Sequence, residues 1–71
     1  MPIISGIKVI KKLEKYGYHI IRRKGSHVRL RHLKGSVFKP ITVPLHKEIK
    51  YGLLYQIIKD ANLSVEEFNK L

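Results

Sequence analysis

The sequence predicts an α+β fold, a two-layer sandwich. A three-stranded antiparallel sheet carries helices on one face, in the order α-β-β-β-α followed by a short α-helix. Three observations carry that expectation. Apolar residues recur at helical spacing towards both ends of the chain, at Ile7, Ile10 and Leu13 and again at Leu54, Ile57 and Ile58. Between them the period drops to the two-residue alternation of strands, clearest at Val28 and Leu30 and at Ile41, Val43 and Leu45. The breaks between the strand-like runs are short, and antiparallel pairing is the arrangement short connections allow.

The first helix is expected over residues 5–16. Ser5 suits its N-cap, and Gly17 suits the left-handed residue that stops it. Ile7, Ile10 and Leu13, with Val9 and Tyr16 beside them, make the buried stripe, while Lys8, Lys11, Lys12 and Lys15 form a solvated face. Tyr18–Lys24 reads as the first strand, although the adjacent Ile20 and Ile21 leave its facing ambiguous. Gly25 and Ser26 supply a turn into the second strand, His27–His32. Here alternation sends Val28 and Leu30 inward and His27, Arg29 and Arg31 outward. After a loop over residues 33–36, the third strand is expected over residues 39–45. Ile41, Val43 and Leu45 take its core side, with Thr42, Pro44 and His46 opposite. Pro40 and Pro44 have no N–H to give a ladder, which assigns this strand to an edge. A linker over residues 46–50 leads to a helix over 51–61 that buries Leu54, Ile57, Ile58 and Ala61 together with Leu53. Asn62 ends it in the left-handed conformation. Ser64 and Glu67 then stand as the two halves of a capping box, and Phe68 and Leu71 pack back onto the core.

Composition bounds the function. The chain has 71 residues, room for a single domain over 1–71 with a thin margin of burial, about 60% of the unfolded surface. It has no cysteine, hence no disulfide framework and no thiolate metal site. No apolar run approaches the ~20 residues of a membrane span, and the first residues lack the basic-then-apolar layout of a secretory leader. A cytoplasmic protein is expected. Fifteen Lys and Arg against five Asp and Glu give a formal charge of +10. Position says more than the total: all five acids, Glu14, Glu48, Asp60, Glu66 and Glu67, lie outside residues 15–47, while all four histidines lie inside. A centre of one sign points to a polyanion as partner. The cations are not laid along one amphipathic helix, so a membrane surface is not the expected partner.

The stretch from Lys24 to Arg31 concentrates the chemistry. Parity puts His27 on the polar side of its strand, just after a glycine-containing turn. Cations on both sides oppose a further positive charge on its ring, and a general base must start uncharged. An uncharged imidazole in a cationic groove is the equipment of metal-free RNA cleavage. It takes the proton of a ribose 2′-hydroxyl while Arg or Lys stabilises the charge gathering on phosphorus. DNA lacks that hydroxyl, so the route selects RNA. His46, Lys24 and His19 are open candidates for the acid that protonates the leaving oxygen. A divalent-metal nuclease needs clustered carboxylates, and the central window has none. His27 and His32 differ in parity and make a poor zinc pair, so no metal and no cofactor is expected. A Ser-His-Asp arrangement and a phosphate-cradling glycine loop are also missing from the pattern. The four tyrosines fit packing better than base stacking.

Several stretches resemble the HicA family of toxins. They are Ser5-Gly6 with Lys8 to Leu13, Gly17-Tyr18, Arg23-Lys24-Gly25-Ser26-His27, Val43-Pro44-Leu45-His46, and Leu63 to Phe68. The likeness spans nearly the whole chain in order. It implies a fold like the double-stranded-RNA-binding domain. It also implies the activity of an mRNA interferase of a type II toxin–antitoxin module, with a HicB antitoxin encoded beside it. The catalytic histidine of the family's Gly-x-His motif carries over onto His27. RNA contact is then expected from Arg22, Arg23, Lys24, Gly25 and Ser26 on the hairpin. Arg29, Arg31 and His46 complete the set. The chain departs from relatives at Leu53, where many have threonine after the glycine, and at Asn62, where glycine is common. The alternatives are a non-catalytic RNA-binding module and a protein-binding adaptor on the same fold. A partner that covers the cationic face would need carboxylates or an aromatic plug.

Overall fold

The computed structural model describes residues 4–71; residues 1–3, part of the stretch compared above with a leader, lie outside the described residues. The elements are α1 (Gly6–Tyr16), β1 (Tyr18–Lys24), β2 (His27–His32), a single 3₁₀ turn (Gly35–Val37), β3 (Ile41–Pro44), α2 (Tyr51–Asp60) and α3 (Val65–Asn69). The sheet is antiparallel, with β2 in the centre. One face of it meets the helices, as the strict alternation of exposed and buried residues along β2 records. Val28 and Leu30 of β2 meet Ile41 and Val43 of β3. Above them pack Val9, Ile10 and Leu13 of α1, Leu54, Ile57 and Ile58 of α2, and Phe68 of α3. The expected α+β sandwich and its element order hold.

The expected punctuation also holds. The Ser5 side chain accepts from the Lys8 N–H, and Gly17 ends α1 with φ of 114°. At the end of α2, Asn62 takes φ of 58°. The Asn62 and Leu63 N–H groups donate back to the Lys59 and Ile58 carbonyls, the pairing of a Schellman cap. Ser64 and Glu67 bond reciprocally in a full capping box. The Ser64 N–H donating to the Glu67 carboxylate, with the Ser64 hydroxyl beside it, holds that carboxyl below its ordinary range.

Four expectations need correction. Ile7 is 57% exposed. Gly6 takes the inward position instead, because a Cβ there would collide with the Pro44 carbonyl oxygen. Having no side chain lets the first turn of α1 close onto the end of β3, and the Gly6 N–H donates to the His46 carbonyl at 2.9 Å. Leu53 is 39% exposed, one helical step off the stripe of Leu54, Ile57, Ile58 and Ala61. The third strand is shorter than residues 39–45, and Pro44 is buried instead of facing out. Pro44 lies opposite His27, yet it is the Leu45 N–H that donates to the Ser26 carbonyl. Pro44 therefore occupies a position where the ladder asks for no donor. Lastly, Lys12 is not merely solvated: its Nζ donates to the carbonyls of Phe68, Asn69 and Leu71 at 3.0–3.5 Å. A cation at the C-terminal carbonyls of α3 is the favourable end of that helix for positive charge.

Candidate RNA-facing site

The site is built on a hairpin. Lys24 and His27 are cross-strand partners joined by Gly25 and Ser26 alone. Gly25 has φ of 58°, and open space surrounds the position where its Cβ would be. Glycine is required there by the turn, whose positive φ falls on the first central residue. Directly opposed residues share a face of the sheet, so the pairings lay out the open surface. Lys24 sits by His27, Arg22 by Arg29, Thr42 on the other flank of Arg29, and His19 by Arg31. All seven are exposed. None of the three strands contains an acidic residue.

Arg22, Lys24, His27, Arg29 and Thr42 line a shallow depression of about 210 Å³. Six of the residues anticipated on the site are thus gathered around one turn: Arg22, Lys24, His27 and Arg29 in the depression, with Gly25 and Ser26 closing its rim. Three lie elsewhere. Arg23 pairs with Val28, so it belongs to the other side of the ribbon, although it is exposed at the sheet edge. Arg31 is two residues beyond Arg29 and lines a different cavity. His46 is exposed past the end of β3, with its carbonyl accepting from Gly6. Thr42 belongs in the set through its pairing with Arg29; the alternation of β3 had signalled its facing. Larger cavities exist, one of about 490 Å³ between α2 and α3, but it holds no histidine. Among the described residues no group of three or more His, Asp or Glu side chains could hold a metal ion.

His32, at the far end of β2, is the opposite case. It is buried at 6% exposure. The Lys34 N–H donates to its Nδ1 at 3.1 Å, which leaves Nε2 to donate to the Tyr16 carbonyl at 3.0 Å. Its ring stacks on Phe38 at 3.9 Å between centroids and meets Tyr18 edge-on at 5.0 Å. Tyr18 is core-facing too, and burial pushes its hydroxyl up to about 12. That hydroxyl donates to the Lys39 carbonyl at 3.0 Å.

Residues 6–63 match the family model described as HicA toxin of bacterial toxin-antitoxin. The chain belongs to the HicA toxin family. The match runs from α1 through α2 and includes the whole hairpin and β3. Membership makes the protein a toxin of a toxin–antitoxin system, with an antitoxin for a partner, and supports a nuclease-type role in coarse terms. No curated protein matches the chain. Among the described residues of this HicA toxin, no helix is long and apolar enough to cross a membrane.

Proposed function

We propose that the protein is a metal-independent endoribonuclease, an mRNA interferase acting in the cytoplasm, with His27 as its general base. One observation supports this reading above the others: an exposed imidazole standing in a depression whose other charged residues, Arg22, Lys24 and Arg29, are all cations. The uncharged ring takes the proton from a ribose 2′-hydroxyl. The 2′-oxygen attacks phosphorus, the bond to the 5′-oxygen breaks, and a 2′,3′-cyclic phosphate remains on the upstream fragment. Arg22 and Arg29 stabilise the extra negative charge on the phosphoryl oxygens as it develops. Of the three candidates for the acid, Lys24 lines the same depression as His27. His19 lies beside Arg31 at the other end of the sheet. Lys24 is therefore assigned the proton donated to the leaving 5′-oxygen. The partner is a HicB antitoxin that silences the toxin by laying acidic side chains over this cationic surface.

The test is His27→Ala, purified with its antitoxin and freed from it, assayed on a mixed-sequence RNA. Cleavage should fall at least 100-fold while salt-sensitive RNA binding persists. Wild-type cleavage should be unchanged in excess EDTA. A variant that cleaves like wild type refutes the histidine mechanism. Wild-type protein that binds RNA without cutting it points to an RNA-binding module instead.

A further inference from the structure

We infer that the cavity at the other end of β2 is a nucleotide-binding subsite, one that holds a base of single-stranded RNA away from the cleaved bond. The inference rests on the ribonuclease reading above for the identity of its ligand. Arg31, Gly35, Phe38, Lys39 and Pro40 line a cavity of about 450 Å³, within the range of about 300–1,000 Å³ usual for small-ligand sites. Its make-up is a half-buried aromatic ring between two exposed cations. That combination suits a base stacked on the ring and a phosphate drawn to the charges.

The cavity wall is held in place from behind. Phe38 stacks on His32, whose two ring nitrogens are both bonded, and it meets Tyr16 edge-on at 5.6 Å. Tyr18 ties the Lys39 carbonyl, and Pro40 fixes the next φ. A pre-positioned ring stacks a base without first losing its own freedom. Arg31 is four residues from His27 along the same strand, about 13 Å. Arg29 stands between them on the same face. The three side chains form a track for one RNA strand, with chemistry at the hairpin end and a stacking anchor at the other. An anchor remote from the reacting bond sets which nucleotide lies at a fixed offset from the cut.

The experiment uses uncleavable 2′-O-methyl oligonucleotides, so it reads binding whether or not the protein cuts RNA. Affinities of a dinucleotide and a tetranucleotide are measured for wild type, Phe38→Leu and Lys39→Gln, each checked for folding by thermal melting. Wild type should bind the tetranucleotide more tightly. Phe38→Leu should lose at least fivefold on the tetranucleotide and nothing on the dinucleotide. Lys39→Gln, an exposed change that should not disturb folding, should lower the salt dependence of tetranucleotide binding by about one counterion. Removing one base from the tetranucleotide should reproduce the Phe38→Leu loss, and the two changes together should cost no more than either. The subsite is refuted if both variants bind both lengths as wild type does, or if wild type prefers a duplex of the same sequence. Failure of His27→Ala to abolish cleavage would strike the mechanism alone and leave this binding result standing.

Discussion

β2 begins and ends with histidine, and the two residues have opposite fates. His27 is exposed among cations; His32 is buried with both nitrogens bonded, its ring stacked on Phe38 and met edge-on by Tyr16 and Tyr18. They are five residues apart, an odd number, so the pleat turns one out and the other in. The side chain is the same, and the difference lies in what the strand does with it. A bonded, buried imidazole is a structural part with no lone pair to spare. An exposed one among phosphate-attracting groups is available for proton transfer.

That contrast is sharpest in paired substitutions. His27→Ala should remove at least 100-fold of RNA cleavage and leave the melting temperature within about 2 °C of wild type, since surface changes away from special features cost little. His32→Ala should do the reverse. It leaves a cavity in the aromatic cluster and strips bonds from the Tyr16 carbonyl and the Lys34 N–H, for a loss of about 2–4 kcal/mol. In a domain this small that lowers the melting temperature by more than about 10 °C, while the protein that remains folded still cuts RNA. If His32→Ala melted like wild type and lost activity, the division between the two would collapse.

Smaller effects refine it. Gly6→Ala forces α1 away from Pro44 and should cost about 1–3 kcal/mol, seen by chemical denaturation. Arg29→Gln should weaken RNA binding and reduce its salt slope by about 1 without changing stability. Ser64→Ala, which breaks the capping box far from the sheet, should cost about 1 kcal/mol and leave cleavage untouched. The same box carries a weak acid sensitivity. Glu67 is held below its ordinary range, so its contribution is present above the unfolded value and is lost as pH falls through the folded one.

Much of this is legible in the sequence. Parity alone separated His27 from His32, and Ser5, Gly17, Asn62, Ser64 and Glu67 punctuate the helices where their chemistry suggests. What stayed hidden depended on contacts between distant parts of the chain. Ile7 has the right type for the stripe, but helical phase, about 100° per residue, is reset by Gly6 closing onto Pro44. Lys12 looks like one lysine of four until α3 folds back against it. The cavity beside Phe38 is hidden in what the sequence shows as loop and strand, because nothing near Phe38 in sequence shows that it meets His32. The hairpin itself was visible in type; its gathering of Arg22, and not Arg23, beside Arg29 was not.

The reason is the irregularity between Ile20 and Arg22, where β1 shifts register against β2. Had the two arms run in step, Ile21 would lie across from Arg29 and Arg23 across from His27. An oily side chain would then interrupt the row of charges, and Arg22 would point away from it. One surplus residue in one arm of a hairpin thus sets the character of a whole surface: removing Ile21 outright leaves Arg22 across from Arg29 and Lys24 across from His27, so it should harm RNA binding less than removing Arg22, which brings Ile21 across from Arg29.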